Sequence, residues 1–323
     1  MPDEVDISVV VPAYNEAGSI AELSEWINRA MEAQGFHYEV LIVDDGSNDH
    51  TWKVICDIAA NDARVKGIRF NRNYGKSAAL NAGFRQAAGV VVITLDADLQ
   101  DNPDEIPELY RMVTEKGYDL VSGWKKKRRD PISKRWPSRF FNFVTRKISG
   151  IKLHDFNCGL KAYRNEVVKH INVYGEMHRY IPVIAKWQGY TNIGEKEVEH
   201  HPRKYGKTKY GIERFVYGFL DLISITFVYR FKKRPMHFFG AWGTLSFLFG
   251  IIFTLKIIWD KIDAIYFSKI PVKREITDQP MFFLALVAVI IGVQLFLAGF
   301  LAELTTLQNA GKKEYFISDK VGI

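Results

Sequence analysis

Short runs of β-branched and other apolar residues recur through the first half of the chain, at Ile7–Val11, Glu39–Val43, Val65–Phe70 and Val90–Leu95. Each ends in turn-forming residues and is too short for a helix, so each predicts a buried strand. Helical periodicity fills the gaps, over Ser19–Gln34, Thr51–Asn61 and Ser77–Ala88. This alternation predicts an α/β fold built on a doubly wound, mostly parallel sheet, with a further strand at Leu160–Tyr163. Trp136–Ile148 reads as an amphipathic helix with aromatic and basic faces, and Pro137 is expected in its first turn.

The pattern changes near residue 236. Phe238–Trp259 carries one charge, Lys256, and Met281–Ala302 has nothing more polar than Gln294. At a rise of about 1.5 Å per residue, both helices would cross a hydrocarbon core of about 30 Å. The expected organisation is an α/β domain over 1–204, a basic amphipathic juxtamembrane segment over 205–235, a transmembrane hairpin over 236–304, and a tail over 305–323. Gly292 and Gly299 are seven apart and share a helix face on which helices can approach closely, and the hairpin is expected either to assemble with its copies, as a tetramer, or to stand as a monomer.

Arg230, Lys232, Lys233 and Arg234 precede the first span and Lys312 and Lys313 follow the second, which predicts cytoplasmic termini. The acidic start of the chain, without a signal-peptide pattern, agrees. Cys56 and Cys158 are then expected as separate reduced thiols. The net charge of +7 concentrates in Lys125–Lys147 and Arg203–Arg234, both interleaved with aromatics. Beside two membrane spans, this mixture suits an anionic lipid surface and argues against nucleic acid as the partner.

Ligands of open α/β sheets bind beyond the carboxyl ends of the strands. Four segments lie there: Pro12-Ala13-Tyr14-Asn15-Glu16, Asp44-Asp45-Gly46-Ser47, Asn71-Arg72-Asn73-Tyr74-Gly75-Lys76 and Asp96-Ala97-Asp98. Two carboxylates one residue apart repel each other unless a cation neutralises them. Oxygen ligands of this kind suit Mg²⁺ or Mn²⁺, with substrate phosphates completing the shell. Neither a Gly-x-Gly-x-x-Gly turn nor a Gly-x-x-x-x-Gly-Lys-Ser/Thr loop is present, so side chains and a metal, not a glycine cradle, must hold any nucleotide.

These motifs, with Val43-Asp44-Asp45-Gly46-Ser47, Asp96-Ala97-Asp98-Leu99-Gln100, Asp155-Phe156-Asn157-Cys158-Gly159-Leu160, Met177-His178-Arg179-Tyr180 and Arg203-Lys204-Tyr205-Gly206-Lys207-Thr208-Lys209, resemble those of family 2 glycosyltransferases of the GT-A fold. With the two C-terminal spans, the chain resembles the polyisoprenyl-phosphate subgroup that includes dolichol-phosphate mannose synthase and bactoprenol glucosyltransferases. The likeness runs from about residue 5 to about 305.

The resemblance implies that Pro12, Tyr14, Glu16 and Lys76 bind the donor nucleotide, with Asp44 or Asp45 near its base or ribose. Asp96, Asp98 and Gln100 match the metal set. Arg203, and Lys209 beyond the Gly206 hinge, match cations that close over the donor diphosphate. Lys125, Arg128, Arg135 and Arg139 fall where the subgroup carries basic residues for the acceptor phosphate, although Lys125 replaces the more usual arginine. Asp155 orients the acceptor or takes a proton, or else is a turn carboxylate. His178 and Arg179 organise the substrate-facing loop.

The implied reaction is inverting transfer of one sugar from a nucleotide-sugar donor, a UDP-sugar foremost, to a polyisoprenyl phosphate such as undecaprenyl phosphate. It is expected at the cytoplasmic face of a bacterial inner membrane. The acceptor phosphate is largely ionised at neutral pH, so no strong base is needed. Rival readings are a processive polysaccharide synthase and a catalytically inactive membrane scaffold or lipid-translocation partner. The synthase fits poorly, because Ile132 replaces the Gln of its Gln-x-x-Arg-Trp motif.

Overall fold

The apolar runs become strands β1 (Ile7–Ala13), β2 (Tyr38–Asp44), β3 (Val65–Phe70) and β4 (Val91–Thr94). Four more follow: β5 (Leu120–Trp124), β6 (Lys161–Arg164), β7 (Ile193–Glu197) and β8 (Ile317–Val321). All eight join one sheet in the order β7-β5-β6-β4-β1-β2-β3-β8. This computed structural model describes residues 5–126, 132–175, 177–202, 204, 227, 235–267, 275–308 and 317–322, with backbone alone for 132–140, 306–308 and 317–319.

β1 to β4 run parallel, whereas β6 lies antiparallel between β4 and β5, and β8 pairs antiparallel with β3. The chain steps from β1 through β2 to β3 in one direction, then returns to place β4 on the other side of β1. That reversal opens a crevice above the carboxyl ends of β1 and β4, where doubly wound sheets bind ligands.

Burial follows the pattern of the sequence. In α1 (Ile20–Glu32) the buried residues are Ile20, Leu23, Ile27, Ala30 and Met31, the spacing of one helical face. α3 (Lys76–Gln86) is different, with every residue from Ser77 to Phe84 buried. Its small residues let it lie close on the sheet. A Cβ on Gly83 would stand 2.3 Å from Val10 Cγ1 on β1. This tight packing sets the start of α3, and with it Lys76, at the crevice. The remaining helices of this unit are α2 (Thr51–Asn61), α4 (Ile106–Thr114), α5 (Ile132–Ser149), α6 (Asn165–His170) and α7 (Ile181–Trp187).

Two expectations change. Helix α5 begins at Ile132, so Pro137 lies in the helix interior, where it removes a backbone hydrogen bond. The expected tail is not all tail: Ile317–Val321 is β8, and residues 313–323 belong with 1–225 in one compact unit.

Residues 226–312 form the second unit. Its helices Pro235–Ile262 and Pro280–Gln308 are long and apolar enough to cross a membrane. They pack against each other through glycines. A Cβ on Gly243 would meet Gly292 O at 2.7 Å, and one on Gly250 would meet Ala285 O at 2.6 Å. Ser246 Oγ donates to Ala288 O at 2.8 Å across the same seam. Gly292 and Gly299 therefore face the partner helix of their own hairpin, not a surface left for other copies.

Candidate active site

The crevice is built from four loops that hold one another. Asn15, after β1, takes a left-handed φ of 53°. Its N–H donates to Ser47 Oγ at 2.9 Å, its Oδ1 accepts from Asn48 N at 2.8 Å, and Glu16 N donates to Thr51 Oγ1 at 2.9 Å. The first loop is thereby tied to the second. Pro12, Tyr14 and Glu16 are half-buried, alternating with buried Val11 and Ala13. The period of two puts Pro12 and Tyr14 on one side of the chain, and Glu16 follows beyond the left-handed turn at Asn15.

Asp44 and Asp45 end β2, and both are buried. Asp44 Oδ1 accepts from Ser47 N at 2.9 Å, and Arg69 Nε lies 3.5 Å from Oδ2. Asp45 accepts from Tyr74 N at 2.7 Å and Gly75 N at 2.9 Å, fastening the third loop ahead of Lys76. Burial pushes the Asp45 carboxyl up to about 6, against these two backbone donors, with the neighbouring Asp44 charge adding to the rise. Gly46 makes the approach possible. With φ of +68°, it lies so near the third loop that a Cβ would stand 2.3 Å from the Arg72 carbonyl carbon.

Asp96, Asp98 and Gln100 are partly exposed, while Leu95, Ala97 and Leu99 are buried. The strand period thus continues past β4 and turns both carboxylates outward. Leu99 accommodates the turn with φ of 60°, a conformation uncommon for a bulky residue. Asp98 Oδ1 accepts from Gln100 N at 3.2 Å. Asp96 Oδ1 is paired with Lys76 Nζ. Burial by itself would raise the Asp96 carboxyl, but the ammonium of Lys76, aided by Lys125 and Lys161, holds it below the ordinary carboxylate range. Gly159 passes so close that a Cβ would sit 2.6 Å from Asp96 Cγ.

A segment a hundred residues further on reaches the same place. His201 N donates to Gln100 O at 2.9 Å, and Asp101 forms an antiparallel bridge with His200. Trp26 packs edge-on against His201 with centroids 5.5 Å apart. Lys204 Nζ bonds Glu22 at 2.8 Å. The chain just before Arg203 is therefore anchored next to the Asp96–Asp98 turn, and Lys204, just after it, is tied to α1. Arg203 itself, like Arg128 and Lys209, lies outside the described residues.

Glycosyl transferase family 2 is the family whose model matches this chain, over residues 8–171. The chain belongs to that family. Among related proteins, the dodecaprenyl-phosphate galacturonate synthase of Rhizobium johnstonii is 35% identical over 93% of this chain and 87% of its own length. The undecaprenyl-phosphate 4-deoxy-4-formamido-L-arabinose transferase of Shewanella sediminis is 37% identical over 78% of this chain and 74% of its own. Among solved structures, glucosyl-3-phosphoglycerate synthase of Mycobacterium tuberculosis, in complex with Mn²⁺, UDP-glucose and phosphoglyceric acid, matches with a TM-score of 0.53. That match covers 68% of this chain and 80% of the other, at 20% identity, and shows a shared fold.

The donor set of the glycosyltransferase fits a hard divalent cation. Among the described residues no three His, Cys, Asp or Glu side chains converge as a metal cage. Two half-exposed carboxylates and the neighbouring Gln100 leave ligand positions for phosphate oxygens and water, as Mg²⁺ or Mn²⁺ prefers. The lysines around Asp96 keep it ionised, the form a cation needs.

Other expected residues have duties inside the fold. Lys125 is largely buried, with its Nζ 2.6 Å from the buried Asp101. Burial disfavours its charge, but Asp101 and neighbouring negative groups raise its proton affinity well above the ordinary lysine value. This ammonium is paired inside the fold and does not present itself as a surface grip for lipid phosphate. Asp155 is buried, and its Oδ1 caps Asn157 N at 3.0 Å, the turn geometry of the plainer reading. Arg135 and Arg139 are four residues apart on α5 and so share a helix face, but their side chains lie outside the described part.

Three contributors had escaped the reading of the sequence. Glu195 on β7 accepts from His154 N at 2.7 Å and Asp155 N at 3.0 Å, holding the 154–159 loop. Asp101 is the counter-ion of Lys125. Lys161, on β6 opposite Thr94, is fully buried near Asp96. None sits in a motif, and only the pairing of distant strands reveals them. The N–H of His178 donates to Ser77 Oγ at 3.0 Å, which places the 177–180 turn over the start of α3. Cys56 and Cys158 are free thiols, and burial pushes Cys158 up to about 12.

Proposed function

We propose that this glycosyltransferase moves one sugar from a UDP-sugar to the phosphate of a polyprenyl phosphate, undecaprenyl phosphate foremost, with inversion at the anomeric carbon. The reaction takes place at the cytoplasmic face of a bacterial inner membrane, to which the helical hairpin anchors the enzyme. One observation supports the reading: Gln100 and Asp101, just after the Asp96–Asp98 turn, are joined to His201 and His200, which precede Arg203 by two and three residues. Both named relatives act on polyprenyl phosphates, and the two membrane-length helices suit an acceptor of that kind.

Asp96 and Asp98 would hold a divalent cation, which when bound neutralises the departing diphosphate. Pro12, Tyr14 and Glu16 line the nucleotide side, and the loop tethered by Asp45 delivers Lys76 to Asp96. Arg203 adds charge to the leaving group from its anchored segment, an electrostatic contribution made where negative charge develops. The acceptor phosphate is its own nucleophile, so the protein's work is positioning and exclusion of water.

The test is transfer from a panel of UDP- and GDP-sugars to undecaprenyl phosphate by the full-length protein, with Mg²⁺ or Mn²⁺ and with EDTA. Metal-dependent formation of a lipid-linked sugar is expected. Metal-dependent nucleotide binding with no product from any donor would instead favour an inactive scaffold.

A further inference from the structure

β5 and β7 run parallel to β4, so their carboxyl ends share the sheet edge at which Asp96 and Asp98 stand. In the reaction proposed above the nucleotide lies over the loops that follow β1 to β3. A nucleophile attacking with inversion then arrives from the other side, over β5 and β7. Lys125 stands there but is buried against Asp101. Lys126, the next residue, is half-exposed and paired with Glu197 at 3.0 Å. The side chains of Arg128, Arg135 and Arg139 lie outside the described part. Among the described residues on this edge, one further group is held ready for an anion.

That group is His154. Its backbone N–H donates to Glu195 Oε1 at 2.7 Å, and its ring Nδ1 lies 2.6 Å from Glu195 Oε2. Glu195 also accepts from Asp155 N at 3.0 Å, and its side chain is only 12% exposed. The imidazole stacks on the indole of Trp124, at the end of β5, with centroids 4.3 Å and planes 17° apart. From α5, Asn142 Nδ2 donates to the His154 carbonyl at 3.0 Å. The other charged groups nearby are the buried Asp155 on the same loop and Lys126, whose Nζ lies 5.4 Å from the Trp124 ring. An exposed ion pair between two mobile side chains adds little to stability. Here one carboxylate with three donors and a ring stack fix the direction of a single nitrogen. A carboxylate only accepts, so Nδ1 carries the proton and Nε2 points away from Glu195. The side chain is 54% exposed, and among the described residues Nε2 has no hydrogen-bond partner. The loop runs on to Gly159, which packs on Asp96, and five residues span at most about 18 Å.

We infer that His154, as an imidazolium backed by Glu195, binds the phosphate of the acceptor through its Nε2–H. The inference rests on the transfer reaction proposed above and goes beyond it in assigning the acceptor's partner. An imidazolium N–H to a phosphate oxygen is a charge-assisted hydrogen bond, about twice as strong as a neutral one. Glu195 compensates the ring's charge before the acceptor arrives, and the Trp124 stack keeps the ring from turning. A neutral imidazole is a poor substitute. With its proton held at Nδ1 by Glu195, it offers the phosphate a lone pair at Nε2, and two acceptors repel. Use of the acceptor therefore depends on the charge of this one ring.

The experiment measures kcat/KM for undecaprenyl phosphate from about pH 6 to 8.5, with the full-length enzyme and the UDP- or GDP-sugar of the panel that gives product. Wild type is compared with His154→Ala and His154→Gln. At about pH 6.5, His154→Ala should lower the value about tenfold or more, the scale of one charge-assisted hydrogen bond, with the KM of the donor unchanged. His154→Gln, which keeps a neutral donor, should recover part of the loss. The advantage of wild type over His154→Gln should shrink towards one as the pH rises through the range in which histidines lose their charge. Full activity in both variants overturns the inference and leaves the transfer reaction intact. A loss that is the same at every pH, or that raises the donor KM equally, also overturns it and leaves His154 a loop-holding residue. No transfer from any donor counts against the reaction itself. Calorimetric binding of undecaprenyl phosphate in detergent micelles, at about pH 6.5 and 8.5, then decides the inference: tighter binding by wild type than by His154→Ala at the lower pH alone supports it, and equal affinities refute it.

Discussion

Two pairs of aspartates stand at neighbouring strand ends and have opposite fates. Asp44 and Asp45 are consecutive at the end of β2, both buried, and both engaged by the protein: Ser47 N and Arg69 for one, the N–H groups of Tyr74 and Gly75 for the other. Asp96 and Asp98 are separated by buried Ala97 just beyond β4, and both remain partly exposed on one side. The proton affinities diverge accordingly. Burial raises Asp45, whereas the lysines around Asp96 outweigh burial and lower it. Consecutive carboxylates on an extended chain point to opposite sides and are absorbed by whatever packs there. Carboxylates two apart share a side and can act on one ligand.

The largest effect that would sharpen this contrast is expected at the exposed pair. Asp98→Ala should lower sugar transfer by about 10²–10³-fold, the cost of removing one group that stabilises developing charge. Its thermal midpoint should stay near that of wild type, because the side chain is not buried. A fully active variant would break the metal assignment.

At the buried pair the expected loss is in the fold. Gly46→Ala should cost about 3 kcal/mol in chemical denaturation, because a Cβ collides with the Arg72 backbone and φ is +68°. Unchanged stability would mean that the second and third loops are not held as close as they appear.

The smallest effect is a pH dependence. A carboxyl raised to about 6 in the folded protein binds its proton more tightly there than in the unfolded chain, near 3.8. Its contribution to stability is therefore present below about pH 4 and lost as the pH rises through about 6. Asp45→Asn should gain stability relative to wild type over that window, by about 3 kcal/mol at most, on top of a pH-independent loss because the amide offers one acceptor to two N–H groups. A pH-independent difference in denaturation midpoints would show that Asp45 is not raised.

Much of the site was legible from residue order alone. Strand ends are marked by the change from apolar runs to turn residues, so the four loops of the crevice were identifiable before their contacts were known. The spacing of Asp96 and Asp98 was informative because the period of two continues past the strand. The burial of Lys125 was not legible, because a lysine in a basic run looks exposed. Its partner, Asp101, lies 24 residues earlier and meets it only when β5 is placed in the sheet. Pro137 was placed a turn too early because its helix starts at Ile132, in a stretch whose apolar pattern is weak. Gly292 was legible as a place where helices approach closely, but not which helix covers it, because a glycine face looks the same in either case.

Local pattern by itself determined the α/β class, the four polar strand ends and the two membrane-length helices, because hydrophobic periodicity and turn chemistry act within a few residues. Only the tertiary structure decided which charges are spent and which remain for substrate. Lys76, Lys125 and Lys161 are alike in sequence, but an ammonium's role depends on the carboxylate beside it. Here those neighbours come from 20 residues away for Lys76 and 24 residues away for Lys125, while the buried Lys161 bonds the carbonyl oxygen of Cys158.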